Sequence, residues 1–249
     1  MSGPGLVVIT GASSGFGAAT ALRFARLGHP LYLGARRVQR LVEVARRCQE
    51  AGAPKAEART LDVRSKESIE AFCAGAGTPE ILLNNAGLAL GRDNLAGMKD
   101  EDLLGMVETN VIGLVRVTRG LLPRMIAARR GHVINLGSYA ARGVYEGGAV
   151  YAATKHGVRV ISETLRLELS GTNIRVTEID PGLAETEFSV ARLGDEQKAK
   201  SVYAGMQPLS ADDVADAIVW AATRPAHVNI SEIVITPTAQ ASLTKVHRE

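Results

Sequence analysis

Short apolar, β-branched runs alternate along this chain with longer stretches of helical periodicity. Residues 6–10, 31–35, 56–61, 81–84, 132–136, 174–179 and 233–236 read as strands, and 17–27, 38–51, 66–74, 102–128, 151–169 and 211–223 as helices. Strand, helix and strand in regular succession bury both faces of a parallel sheet under helices. The predicted fold class is α/β: a single doubly wound Rossmann-type domain over 1–249, with a seven-stranded parallel sheet and helices on both faces. No linker, repeat or shift in composition divides it. Residues 182–208, charged and without clear periodicity, are predicted to be a mobile substrate lid.

Composition narrows the function more than the fold. Of 249 residues, 46% are apolar and 22% charged, while aromatics make up only 4%, which suits close packing of helices on a sheet. The net charge of +3 is scattered, and the densest basic cluster, Arg129-Arg130 with His132, is too short for a nucleic-acid surface. No run approaches the ~20 apolar residues of a membrane span, and the beginning of the chain lacks the basic and apolar regions of a secretory signal. Cys48 and Cys73 lack metal-ligand spacing and read as reduced packing residues, so no metal is predicted. A soluble, cytoplasmic protein is the expectation.

Three local patterns carry chemistry. The first strand enters Thr10-Gly11-Ala12-Ser13-Ser14-Gly15-Phe16-Gly17 and then a helix. Glycines there allow a tight turn, and the helix N-terminus offers backbone N–H groups to a pyrophosphate. The second strand ends in Arg36-Arg37, with no acid between His29 and Leu41. Guanidinium groups can bind a ribose 2′-phosphate where a carboxylate would select the 2′-hydroxyl, so NADP is the expected cofactor. Tyr151 and Lys155 lie four apart on a helical pattern, thirteen residues beyond Ser138. An ammonium on the same helix face lowers a phenol pKa and makes a tyrosine an acid or base. For a substrate carboxylate, Arg192 on the presumed lid and Arg142 are the candidate cations, Arg192 preferred, and Tyr145 is a candidate wall.

Taken together, these residues resemble the short-chain dehydrogenase/reductase family along the whole chain. The glycine motif covers Gly11, Ser13, Ser14, Gly15, Phe16 and Gly17. The acid after the third strand matches Asp62, followed by Val63, and the Asn-Asn-Ala-Gly motif is Asn84 to Gly87, with Asn84, Ala86 and Gly87 assigned to the cofactor. The resemblance implies a catalytic set of Asn110, Ser138, Tyr151 and Lys155, with Tyr151 and Lys155 also touching the cofactor. It implies further cofactor contacts at Pro181, Gly182 and Thr186, beside Arg36 and Arg37. Ser138 would hold the substrate oxygen, and Asn110 would bend its helix and hold a water that links Lys155 to solvent. Dimers or tetramers through 102–128 and 151–169 are also implied, with Val158, Ile161 and Leu165 able to serve an interface or a core alike.

A narrower likeness, in Leu83 to Gly91, Thr186-Glu187-Phe188-Ser189 and Pro225 to Ile230, is to the NADP-dependent 3-hydroxy acid or serine dehydrogenases. The alternatives are a general carbonyl reductase, a 3-oxoacyl-acyl-carrier-protein reductase and a non-enzymatic NADP sensor.

Overall fold

The computed structural model describes residues 3–249. Seven strands form one parallel sheet in the order β3-β2-β1-β4-β5-β6-β7. They are β1 (Val7–Thr10), β2 (Leu31–Ala35), β3 (Ala56–Thr60), β4 (Ile81–Asn84), β5 (Gly131–Leu136), β6 (Ile174–Pro181) and β7 (Glu232–Ile235). The predicted strands all form, with ends displaced by at most two residues.

Strand periodicity sends alternate side chains to opposite layers. Val7 and Ile9 of β1, with Leu31 and Leu33 of β2, pack under α1 (Gly15–Arg26), α2 (Val38–Glu50) and α9 (Ala211–Ala222), where Phe24, Leu41 and Ile218 are buried. Val8, Tyr32, Leu82 and Val133 face the other layer, with Phe72 of α3 (Lys66–Gly75), Leu121 of α5 (Leu114–Ala128) and Leu165 of α6 (Ala149–Glu168). Val158 is fully buried in the same chain. Val158 and Leu165 therefore serve the core of this chain. Burial of this kind on both faces explains why the strands read as continuous apolar runs.

Two predicted elements differ. The expected helix over 102–128 is divided into α4 (Asp100–Val107), a wider π-type turn over Glu108–Gly113, and α5. Asn110 sits in that wide turn. Its side chain exchanges two hydrogen bonds with the backbone of Leu88, donating to the carbonyl at 2.8 Å and accepting from the N–H at 2.8 Å. A side chain engaged in this way ties the helix to the loop after β4 at its irregular turn.

The segment over 182–208 is not irregular. It contains α7 (Glu187–Leu193) and α8 (Glu196–Ser201). Thr186 caps α7 by accepting from the Phe188 N–H, Gly194 ends it at φ 65°, and Asp195 caps α8 by accepting from Gln197 and Lys198. These caps satisfy the free ends of helices too short to show a period. The last residues clasp the pair: Gln240 Oε1 accepts from the Leu183 N–H at 2.8 Å, and the Glu249 N–H donates to the Gly205 carbonyl at 2.9 Å.

Candidate active site

The order of the sheet reverses between β1 and β4, and a parallel sheet opens a crevice at the carboxyl ends of its strands there. A cavity of about 450 Å³ occupies this place. It is lined by Gly11, Ser13, Ser14, Gly15 and Phe16 from the first turn, Arg36 and Arg37 after β2, and Asp62 and Val63 after β3. Ala86 and Gly87 after β4, Ser138 after β5, Tyr151 and Lys155 of α6, and Pro181, Gly182 and Thr186 after β6 complete it. Most of the residues singled out in the sequence thus meet at one crevice.

The glycine turn is built for close approach. Gly11 has φ 66°, and a Cβ there would stand 2.9 Å from Ala86 Cα. Thr10 Oγ1 accepts from the N–H groups of Asn85 and Ala86, while Asn85 Nδ2 donates to the carbonyls of Thr10 and Gly11. The turn after β1 and the turn after β4 are thereby locked together.

Ser14 stands at the N-cap of α1 without capping it, and α1 has no acid in its first turn. Its hydroxyl accepts instead from Arg37 Nη2 at 2.5 Å. The first N–H groups of α1 therefore lack a side-chain cap, beside a cavity wall of small residues and two guanidiniums. That arrangement fits a dinucleotide phosphate. Arg36 makes no side-chain hydrogen bond among the described residues, whereas Arg37 also pairs with Glu187 at 2.6 Å.

Two residues assigned to the cofactor lie elsewhere. Asn84 is 3% exposed and inside the sheet, where its Nδ2 donates to Thr118 Oγ1 and Asn135 Oδ1. Its neighbour Asn85 lines the cavity in its place. Gly17 is buried against the turn, and a Cβ there would meet Asn85 Nδ2 at 2.6 Å and the Gly11 carbonyl at 2.7 Å. It permits α1 to pack on the turn and does not line the cavity.

At the far end, Tyr151 and Lys155 are both buried. The Lys155 ammonium donates to the Leu136 carbonyl at 2.8 Å and lies 5.9 Å from the centre of the Tyr151 ring. In this geometry burial outweighs the lowering of the phenol pKa expected from the lysine. Burial pushes Tyr151 up to about 12, against the opposing pull of the neighbouring Ser138 side chain and the charge of Arg192. Burial also pushes Lys155 down to about 8, opposed by Asp180 and Glu178. Ser138 Oγ accepts from the Ala140 N–H, and the Ser138 N–H donates to Asp180 Oδ1 at 3.0 Å.

The two candidate cations separate clearly. The Arg192 guanidinium lies 5.6 Å from the Tyr151 ring centre and 5.5 Å from that of Tyr145, close enough for cation–π attraction. Its Nε donates to the Gly91 carbonyl at 3.1 Å, leaving its other nitrogens free of hydrogen bonds to described residues. Arg142 instead bonds Asp180 and Glu232 and is not free to receive a substrate. Phe188, whose ring centre is 5.8 Å from that of Tyr151, is a wall that the sequence did not single out, as are Leu88 and Leu90.

Comparison with known proteins agrees with this geometry. Residues 5–197 match the model of the family described as short chain dehydrogenase. An NADP-dependent 3-hydroxy acid dehydrogenase of Escherichia coli (strain K12) is 42% identical, over 98% of this chain and all of its own. One of the same description from Schizosaccharomyces pombe is 39% identical over 98% of this chain and 96% of its own. A serine dehydrogenase solved in its closed form with NADP+ superposes with a TM-score of 0.92 at 41% identity, covering 98% of this chain and 100% of that one. The chain belongs to the short-chain dehydrogenase family.

Proposed function

We propose that the protein is an NADP-dependent oxidoreductase that interconverts the hydroxyl and carbonyl forms of serine or a small 3-hydroxy acid. The observation that carries the substrate class is Arg192, which brings a guanidinium within 5.6 Å of the Tyr151 ring centre in the adjoining cavity that Tyr145, Phe188 and Ser138 also line. A carboxylate entering that cavity requires such a partner to offset its desolvation. The relatives described as NADP-dependent 3-hydroxy acid dehydrogenases support the same reading.

Arg36 and Arg37 would hold the 2′-phosphate, the turn from Gly11 to Phe16 the pyrophosphate, and Asp62 with Val63 the adenine end. A nicotinamide cofactor held there would supply the hydride exchange with the substrate carbon and, in its oxidised form, a positive charge. Ser138 both donates and accepts, so it can hold either a carbonyl or an alcohol oxygen. Tyr151 Oη gives its proton to that oxygen in reduction, the role suited to a phenol that burial keeps protonated. In oxidation it takes the hydroxyl proton, which demands more positive charge nearby than Arg192 alone contributes. Lys155, itself close to titration, is the group through which that charge is adjusted. Asn110 Nδ2 also donates to Thr154 Oγ1 at 3.1 Å, beside Lys155, and keeps this end of α6 in register with the loop after β4.

Helices α7 and α8 serve as the lid, with Tyr145 and Phe188 forming the pocket walls. Assembly as a dimer or tetramer in the cytoplasm completes the reading. Leu104, Val115 and Val160, exposed on α4, α5 and α6, supply apolar surface for assembly. Among the described residues, no helix is long and apolar enough to cross a membrane.

The test is a panel of hydroxy acids and neutral alcohols, with their carbonyl partners, assayed with NADP and NAD in parallel. Serine or 3-hydroxyisobutyrate should be preferred, and Arg192→Ala should raise KM for these acids alone. Faster turnover of neutral ketones, with no effect of Arg192→Ala, would make the enzyme a general carbonyl reductase. Tyr151→Phe should lower turnover by about 10²–10⁴-fold.

A further inference from the structure

Behind Ser138 lies a charged cluster that neither the cofactor nor the substrate uses. Residues 178 and 180 are two apart on β6, so both side chains leave the same face of the strand. Ile179 packs in the layer of α1, α2 and α9, whereas Val176 packs in the layer of α6. Glu178 and Asp180 therefore point with Val176 toward α6 and the catalytic residues, and both are fully buried. A Cβ on Gly137, the residue before Ser138, would stand 2.0 Å from Asp180 Oδ1 and 2.6 Å from Glu178 Oε1. The two carboxyl groups thus abut one point of the catalytic backbone, and only a glycine fits between them and the strand.

Their partners are unequal. Asp180 accepts from Arg142 Nε at 2.9 Å and from the Ser138 N–H at 3.0 Å. Neither oxygen of Glu178 has a partner other than Asp180. Two adjacent buried carboxylates facing one guanidinium cannot both remain ionised, and the one without the cation keeps the proton. Burial and the neighbouring Asp180 both push the Glu178 carboxyl up, which agrees.

Arg142 is shared with Glu232 of β7 at 2.7 Å, and Glu232 in turn faces Arg159 and Arg166 of α6. With Lys155 and Tyr151, also on α6, these are the charged and titratable groups around the pair.

We propose that Asp180 is a positioning residue for Ser138 and Lys155: one negative charge, shared within the Glu178–Asp180 pair and clamped by Arg142, anchors the Ser138 backbone and keeps Lys155 cationic. Its catalytic part rests on the proposed oxidoreductase reading; the charge state of the pair does not. The anchoring acts through the Ser138 N–H, which sets where the seryl hydroxyl points. The electrostatic effect acts on Lys155, whose positive charge burial opposes and the pair supports.

The test compares Glu178→Gln alone with Glu178→Gln carrying Asp180→Asn. Glu178→Gln preserves a neutral hydrogen-bond donor to Asp180, so the alkaline limb of kcat/KM for reduction should stay in place. In the Glu178→Gln background, where no carboxyl of the pair is left to ionise, Asp180→Asn removes the charge and should move that limb to lower pH by about one unit. It should also lower kcat about 10-fold or more, with KM for the cofactor unchanged. A limb that does not move in the double variant, or that moves equally in Glu178→Gln alone, overturns the proposal.

Melting temperature against pH gives a reading independent of activity. A carboxyl raised in the folded state leaves stability intact below the ordinary carboxylate range and erodes it as pH rises through its folded value. Wild type should therefore lose stability from about pH 4.5 to about pH 8, and Glu178→Gln should lose visibly less. Equal slopes would show that Glu178 does not hold the proton. Absence of NADP-linked turnover in wild type would instead defeat the oxidoreductase reading and leave this measurement standing.

Discussion

Arginine meets carboxylate at both ends of the crevice, but in different surroundings. At the cofactor end Arg37 and Arg40 grip Glu187, and the side chains of Arg37 and Glu187 are 47% and 53% exposed. At the chemical end Arg142 grips Asp180, and those side chains are 22% and 0% exposed. Arg37 holds the Glu187 carboxyl below its ordinary range, whereas burial pushes Asp180 up despite its guanidinium. Solvent makes the first cluster adjustable, since water can replace either partner at little cost. Burial makes the second obligatory, because a lost partner leaves a desolvated charge behind. In the proposed reading, cofactor choice would sit on the adjustable cluster and proton chemistry beside the obligatory one.

Removing Arg142 is the most severe way to break this contrast. Arg142→Ala should cost about 3 kcal/mol or more of folding stability, read from the urea midpoint. Adding Asp180→Asn to it should recover part of that loss, because the unpaired charge goes with it. A loss below about 1 kcal/mol, within the range of surface pairs, would mean that the buried cluster is as replaceable as the exposed one.

At the cofactor end the expected loss is one of recognition. Arg36→Ser removes a guanidinium that lines the cavity with no protein partner of its own among the described residues. Losing a charge-assisted bond of about 1.5–3 kcal/mol should raise KM for NADP about 10–100-fold and leave KM for NAD nearly unchanged. Stability should stay within about 0.5 kcal/mol. Equal losses with both cofactors would assign Arg36 to general electrostatics and not to the 2′-phosphate.

What the sequence could and could not reveal follows the same division between local and distant contacts. Strand runs such as 31–35 and 81–84 are legible because burial on both faces demands unbroken apolar residues. Ser138, Tyr151 and Lys155 are legible from spacing, since β5 and α6 carry them to the cavity by local geometry alone. Which asparagine of the 84–85 pair faces the cavity is not local. Asn84 turns inward to meet Asn135, its register partner on β5, and registers across strands are not written in either strand by itself. The choice between Arg142 and Arg192 was similarly hidden, because Glu232, which helps to claim Arg142, is 90 residues away. The helices α7 and α8 were missed for another reason. At seven and six residues they are too short to show a period, although Thr186, Gly194 and Asp195 mark their ends.

The smallest expected effect tests the adjustable cluster most directly. Glu187 begins α7, and its carboxylate takes both Arg37 and Arg40 while Arg37 also reaches Ser14 in the glycine turn. A 2′-phosphate arriving at Arg36 and Arg37 meets this carboxylate as a like charge and as a competitor for Arg37. Glu187→Gln removes the repulsion and most of the competition, and keeps the length of the side chain. Exposed pairs contribute about 0.2–1 kcal/mol, so affinity for NADP should rise no more than about fivefold. NAD affinity should stay unchanged, and the urea midpoint should not move measurably. Isothermal titration of wild type and Glu187→Gln with both cofactors reads the difference. If NADP binding instead weakens about tenfold or more, Glu187 organises the arginines for the phosphate, and the exposed cluster is as preorganised as the buried one.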